Sequence, residues 1–91
     1  MATVTTDILT GVKNALNVTG TFQDATISVY IAEVMDYMKT AGVSDANISA
    51  SVGTIARGVS DLWDNDGGGV KYSPYFYDRV SQLALRSNGG A

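Results

Sequence analysis

The 91-residue sequence contains no cysteine and no histidine. Without cysteine, neither a disulfide bond nor a thiolate metal site can form within the chain. Without histidine, a Ser-His-acid triad is excluded, and the side chain that most often acts as a general base near neutral pH is missing. We therefore expect a protein that is not an enzyme and has no catalytic residues, no metal site and no cofactor.

Positive charge is also scarce in this chain. Six Lys and Arg residues stand against nine Asp and Glu residues, which gives a net charge of −3 and a pI near 4.4. A protein whose main task is to hold nucleic-acid phosphates needs clustered cations, so this balance argues against such a role. No apolar run approaches the length of about eighteen residues that a membrane span requires. Residues 1–7 lack the basic and apolar parts of a secretory signal, so we expect neither secretion nor a membrane partner.

The composition predicts one folded domain. Apolar residues make up 45 % of the chain and charged residues 16 %, as in ordinary globular proteins. A chain of this length can bury one core but not two. We predict a single helical domain over residues 1–91, with frayed ends at 1–4 and 87–91.

Two amphipathic helices are predicted in the first half. Thr5 and Thr6 can cap the first helix, and Asn17–Gly20 has the turn chemistry that would end it. Thr21–Asp24 has the form of a capping box for the second helix, and Gly42 can adopt the left-handed conformation that stops a helix. The apolar face of the second helix follows steps of three and four, at Ile27, Tyr30, Ile31, Val34, Met35, Met38 and Ala41.

Two further helices are predicted in the second half. Ser44 can cap a third helix whose apolar stripe begins at Ile48 and reaches Trp63, and the glycine-rich turn 65–69 breaks it. Ser73 and Pro74 fit the N-cap and the first position of a fourth helix, which reaches Arg86. The predicted fold class is all-α, a compact bundle of about four helices.

Two glycines, Gly53 and Gly58, interrupt the predicted third helix. Glycine in a helix interior costs about 1 kcal/mol relative to alanine, so a compensating role is expected. Each glycine can let a neighbouring backbone come close, either from the second helix of the same chain or from an adjacent subunit. Both alternatives stay open on the sequence.

Three aspartates, Asp61, Asp64 and Asp66, precede a run of glycines and suggest a calcium-binding loop. The spacing argues against it. With the turn glycine at position 67, the first ligand would be Leu62; with it at position 69, Tyr75 would stand where a bidentate glutamate is required. A polar helix end followed by a turn explains the cluster better. The glycine run also lacks the Gly-Lys-Ser/Thr ending of a phosphate-binding loop.

Aromatic residues cluster near the glycine turn. Five of the eight fall within fifteen residues: Trp63, Tyr72, Tyr75, Phe76 and Tyr77. Phe76 and Trp63 are predicted to belong to the core. Tyr75 and Tyr77 flank Phe76 and cannot both point inward with it, so at least one should be exposed. Exposed tyrosine beside arginine is typical of interface anchors. The alternative is that these aromatics only cover the core.

Charge is divided unevenly along the chain. Residues 1–69 carry eight acids and three bases, whereas residues 70–91 carry three bases and one acid. Such a chain could attract its own copies head to tail. An accidental asymmetry of solvated faces is the alternative explanation.

Two segments, residues 56–65 and 71–86, together resemble the head–tail connector proteins of tailed bacteriophages, which are also called adaptor or head-completion proteins. The shared pattern is a helix that ends in an aromatic residue and Asn, a variable turn, and a Ser-Pro-capped helix that finishes in Leu and Arg. The earlier helices fit in order and length, so the resemblance covers roughly residues 5–86.

The resemblance implies a virion structural protein without catalytic activity. It implies a homo-oligomeric ring of about twelve copies that docks on the portal protein and extends the DNA channel. A downstream stopper or tail-completion protein would be a further partner, and DNA would pass through without specific binding. The expected location is the head–tail junction of the virion, with the host cytoplasm as the place of assembly.

On this hypothesis, six residues are the candidate subunit and partner contacts: Trp63, Asp66, Tyr75, Tyr77, Arg79 and Arg86. The main alternative is a small helical DNA-binding or regulatory module. It would need a basic recognition helix, yet the most basic candidate, residues 74–86, carries only two arginines. A minor enzyme or lyase subunit is a remote third possibility.

Overall fold

The computed structural model describes residues 5–65 and 72–88. For residues 64, 65 and 88 it describes the backbone alone. Within these ranges the chain forms helices and no strand, so the all-α prediction is confirmed. The radius of gyration is 12.6 Å, close to the value of about 12 Å for a globular chain of this length. The helices are α1 (Thr6–Leu16), α2 (Asp24–Thr40), α3 (Asp45–Ser49), α4 (Val52–Asn65) and α5 (Pro74–Asn88).

Three hydroxyl side chains start helices as the sequence predicts. Thr5, Ser44 and Ser73 each accept a hydrogen bond from the backbone N–H three residues further on, at 3.2, 3.2 and 3.3 Å. Each bond satisfies one of the N–H groups that a helix start leaves without a partner. Pro74 follows as the first residue of α5, where its missing N–H costs nothing.

Two left-handed residues end α1 and α2. Asn17 has φ 61° and Gly42 has φ 103°. After Gly42, the N–H of Val43 donates to the carbonyl of Met38 at 3.0 Å, and Gly42 itself donates to Lys39 at 3.0 Å. This pair of bonds is the Schellman arrangement that satisfies the last carbonyls of a helix. Both predicted helix ends are confirmed.

The predicted capping box at Thr21–Asp24 is wrong. Helix α2 begins at Asp24, its N-cap is Gln23, and no side chain caps it. The Thr21 carbonyl instead accepts the N–H of Asp24 at 3.2 Å, which closes a turn ahead of the helix. The Asp24 carboxylate pairs with Lys13 of α1 at 2.6 Å, so this side chain joins two helices rather than capping one.

The predicted third helix is two helices, which makes five rather than about four over residues 5–65 and 72–88. Helix α3 ends at Ser49, and α4 begins at Val52. Between them, the Ser51 hydroxyl donates to the carbonyl of Asn47 at 2.7 Å. Serine side chains that bond to nearby carbonyls compete with helix continuation, which accounts for the break.

Helix α5 runs further than predicted, because Ser87 belongs to it rather than to a frayed tail. The Ser87 hydroxyl accepts the N–H of Ser44 at 2.9 Å and the side-chain amide of Asn47 at 2.8 Å. It donates to the carbonyl of Leu83 at 2.9 Å. The last turn of α5 is therefore tied to the start of α3. Residues 1–4 and 89–91, Asp66 and the glycine turn lie outside the described ranges.

One core runs through all five helices. Helix α4 lies at its centre and packs against α1, α2, α3 and α5. The side chains with no more than 1 % of their surface exposed are Val12, Ile27, Ile31, Val34, Met38, Val43, Ile48, Ile55, Val59 and Phe76.

Gly58 lies where α2 and α5 both meet α4. A Cβ atom at this position would stand 2.7 Å from Cε1 of Phe76 and 2.9 Å from both methyl groups of Val34. The interpretation that this glycine admits the chain's own second helix is therefore confirmed, and α5 uses the same space. At Gly53 a Cβ atom would meet nothing within 4 Å, so no close approach occurs there within the chain.

We predict that Gly58→Ala lowers the free energy of unfolding by about 1–3 kcal/mol, because the added methyl overpacks a tight contact. The matched control is Gly53→Ala, which adds the same methyl to the same helix in open space. It should raise the free energy of unfolding by less than about 1 kcal/mol through helix propensity. Urea denaturation of the three proteins measures both effects. Equal changes in the two variants would contradict the role assigned to Gly58.

Candidate assembly surface

The start of α5 is held by polar side chains of α4. Asp61 accepts the backbone N–H of Ser73 at 2.9 Å, and the Arg57 guanidinium donates to the Ser73 hydroxyl at 3.3 Å. Arg57 also lies 3.8 Å from the Asp61 carboxylate, one helical turn away. Asp61, which the sequence offered as a possible calcium ligand, thus fixes the first turn of α5. Among the residues that the structure describes, no group of three or more acidic side chains could hold a metal ion.

Phe76 secures this first turn to the core. Its side chain is fully buried, as predicted, and fills the space beside Gly58. Tyr72 stacks on it with ring centroids 4.4 Å apart, and Tyr37 of α2 lies 5.8 Å away. Aromatic contacts of this kind add to the stabilisation that burial alone provides. The aromatic cluster therefore fixes the rotation of α5 about its own axis.

Burial changes the acidity of two phenols in this cluster. Desolvation is the largest cause that raises the pKa of Tyr72 to about 12, and the nearby charges of Glu33, Tyr37, Tyr77 and Asp61 contribute to the same rise. The pKa of Tyr37 is also raised, first by burial and then by Tyr77. Both groups therefore stay neutral throughout the physiological range.

Tyr75 and Tyr77 lie on opposite flanks of α5. Tyr75 is 63 % exposed and Tyr77 is 40 % exposed, which confirms that at least one of the two points outward. Tyr75 borders a shallow cavity of about 270 Å³ beside α1 and α4. Tyr77 borders a groove of about 380 Å³ between α2 and α5, whose other lining residues are Tyr37, Ala41, Val80, Ser81, Ala84 and Leu85. The two tyrosines thus belong to two different surfaces.

The Tyr75 flank also carries the two arginines of α5. Tyr75, Arg79, Gln82 and Arg86 follow one another at steps of four, three and four, which places them along one line of the helix. We call these four residues the α5 stripe. Arg79 donates to the Gln82 side chain at 3.0 Å and makes no ion pair with any described residue. Three of the six predicted contact residues, the exposed Tyr75 and Arg86 and the half-buried Arg79, are therefore brought together on one flank of α5.

Two of the other predicted contact residues, Trp63 and Tyr77, lie elsewhere. Trp63 is half-buried and packs edge-on against Tyr30 of α2, with ring centroids 5.8 Å apart. Tyr77 lies across α5 from the stripe, in contact with the aromatic cluster. Asp66 falls outside the described ranges, so its predicted contact stays a prediction.

Sequence reasoning missed an exposed line on α2. Val29, Glu33, Asp36 and Thr40 are all exposed and lie on the side of α2 that faces away from the core. We call them the α2 stripe. Val29 is 65 % exposed although it is apolar. Glu33 and Asp36 have the pattern of ordinary solvated charge, so the isolated valine on a polar helix face is the available signal in the sequence. Phe22, in the turn before α2, is a further exposed aromatic residue, at 96 %.

No family model matches the chain, and no curated protein or solved structure is significantly similar to it.

None of the helices in the described part of the chain is long and apolar enough to cross a membrane.

We predict that one tyrosine titrates at about pH 12 in the folded protein and that Tyr72→Phe removes this step. Folding raises the pKa of this phenol above its ordinary value of 10.0, so the folded protein holds the proton more tightly than the unfolded chain does. The resulting stabilisation is complete below the ordinary value and is lost as the pH rises through about 12. The ultraviolet absorbance of tyrosinate measures the titration. Urea denaturation at several pH values between 10.0 and about 12 measures the free energy of unfolding.

The control for this titration is Tyr75→Phe, which removes an exposed phenol on the other side of α5. It should leave the step at about pH 12 in place. If instead the two variants lose stability equally over this pH range, the burial of Tyr72 is not what raises the pKa of its phenol.

Proposed function

We propose that this protein is a structural subunit that assembles with copies of itself, as the head–tail connector of a tailed bacteriophage. The observation that carries this proposal is the α5 stripe. Tyr75 and Arg86 are exposed there without any ionic or aromatic contact to the described residues, and Arg79 bonds only to Gln82. Tyrosine and arginine are the residues most enriched at the energetic centres of protein interfaces. An exposed line of them favours a protein partner.

The sequence pattern supports a connector among the possible self-assembling proteins. The resemblance lies in residues 56–65 and 71–86, which form α4 and α5 over most of their length. In such a connector, copies of this chain form a ring on the portal protein, and a stopper or tail-completion protein binds below. The location that follows is the head–tail junction of the virion.

The acidic balance of the chain agrees with a DNA channel that binds DNA weakly. With six cations against nine acids, phosphates would find few partners along a ring of these subunits. Such a role is structural rather than enzymatic, in line with the missing histidine and cysteine.

A DNA-binding or regulatory module is the alternative function. It is favoured by one observation, namely that Arg79 and Arg86 share a flank of α5 and could contact phosphates together. Two arginines are few for this purpose, since each released counterion contributes only a part of the affinity.

We predict that the protein self-associates and that Tyr75→Ala weakens the association at least about tenfold, because truncation removes an interface aromatic. Sedimentation velocity over a wide concentration range measures the association, and electron microscopy shows whether rings form, alone and with the portal protein of the same genome. Phe22→Ala is the matched control, since it truncates another exposed aromatic residue away from α5.

Two results would contradict the connector proposal. A protein that stays monomeric at every concentration, with and without the portal protein, has no ring to form. Tight binding to duplex DNA that weakens steeply with salt, measured by fluorescence anisotropy, would favour the alternative function.

A further inference from the structure

We propose that the contact between subunits is heterologous: the α5 stripe of one copy lies against the α2 stripe of the next copy. The inference rests on the proposed self-assembly and adds the second half of the interface. Nothing in the resemblance identifies that half. It comes from two exposed lines of residues on different helices of the same chain.

The two stripes have the same spacing. The α2 stripe occupies positions 29, 33, 36 and 40, and the α5 stripe occupies positions 75, 79, 82 and 86, so both advance by four, three and four residues. On an α-helix such positions form a nearly straight line along one side. Two helices that carry matching lines can lie side by side with each residue of one opposite a residue of the other.

A parallel arrangement matches the chemistry of the two lines at their first two positions and brings the remaining charges near each other. Val29 lies opposite Tyr75, which joins the exposed apolar residue of one stripe to that of the other. Glu33 lies opposite Arg79. Arg86 lies within reach of Asp36, about one helical turn along the line. An antiparallel arrangement would instead place Val29 opposite Arg86 and leave both apolar residues without an apolar partner.

The charges of the two stripes are complementary and take part in none of the ion pairs in the described part of the chain. Glu33 and Asp36 form none of the ion pairs found there, which join Lys13 with Asp24, Lys39 with Asp45, and Arg57 with Asp61. The two arginines of α5 likewise have no carboxylate partner among these pairs. Complementary charge across an interface gives specificity and steers association.

The α2 stripe and the α5 stripe of one molecule cannot contact each other. Helix α5 faces α2 of its own chain through Tyr77, whose ring centroid lies 6.0 Å from that of Tyr37. The α5 stripe lies on the opposite flank, beside α1 and α4, where Tyr75 borders the shallow cavity. The occupant with the required charge, spacing and apolar residue is therefore the α2 stripe of a second copy.

A contact between two different surfaces of the same chain does not close into a two-fold dimer. Each copy keeps one free stripe after the first contact, so addition continues until a ring closes or a filament grows. This property is the one that a connector ring requires.

Disulfide trapping tests the contact directly, because the chain has no cysteine of its own. The variant Val29→Cys with Tyr75→Cys should give a ladder of covalent multimers on mild oxidation, at a protein concentration raised by well above about tenfold to offset the loss of the Tyr75 ring. An equimolar mixture of the two single variants should give covalent dimers and nothing larger, and neither single variant alone should cross-link. The control pair, Phe22→Cys with Tyr75→Cys, replaces Val29 by a position that is still more exposed and should give no ladder.

Charge reversal supplies an independent measurement. Glu33→Arg and Arg79→Glu should each weaken self-association about tenfold, since each places like charges opposite each other. The double variant restores an opposite pair and should recover most of the loss. Asp7→Arg is the control for the change in net charge, because Asp7 is exposed on α1 and belongs to neither stripe. Circular dichroism checks that every variant is folded.

The outcomes separate this inference from the proposed function. Self-association with no ladder from the stripe pair, or with no recovery in the double variant, overturns the α2–α5 contact and leaves self-assembly standing. Dimers from a single-cysteine variant would show a two-fold contact and overturn the heterologous arrangement. A wild-type protein that is monomeric under all conditions, together with a stripe double-cysteine variant that gives no cross-links, overturns both.

Discussion

The contact between Phe76 and Gly58 is the constraint on which the exposed surface depends. Because Gly58 has no Cβ, the Phe76 ring can lie against α4 and the methyl groups of Val34 at once. This burial fixes the rotation of α5. Successive residues of a helix differ by about 100° around its axis, so the residues on either side of Phe76 must point to different flanks. Tyr75 is thereby directed outward beside α1 and α4, and Tyr77 toward α2.

Some charged residues of α2 form ion pairs that join neighbouring elements, and others take part in no such pair. Lys13 with Asp24 and Lys39 with Asp45 join neighbouring elements at the two ends of α2. The acids in the middle of its outer face, Glu33 and Asp36, take no part in these pairs. Exposed ion pairs contribute little to folding, so charge left unpaired there costs the monomer little. It can instead determine which surface of a second molecule is recognised.

Local signals in the sequence predicted most of the fold. The features that they did not predict depend on contacts between residues far apart in the chain. The caps at Thr5, Ser44 and Ser73 and the left-handed ends at Asn17 and Gly42 are set by neighbouring residues, and all are confirmed. The capping box failed because Asp24 pairs with a residue of another helix. The opposite orientations of Tyr75 and Tyr77 follow from the inward position of Phe76. Which flank each occupies depends on where α5 lies against α2 and α4, which the spacing of residues does not specify.

The core is closed without any partner, and this bears on how the protein would assemble. All five helices contribute to one buried cluster within a single copy. A contact made by two exposed lines of four residues is small, and single contacts of this size are weak. In the proposed ring, closure would change the balance, because the last copy would bind at both of its stripes and its second contact would be intramolecular. Weak pairwise contacts therefore favour either free monomers or closed rings over short intermediates, and a docking surface that holds several copies together would shift the balance toward rings.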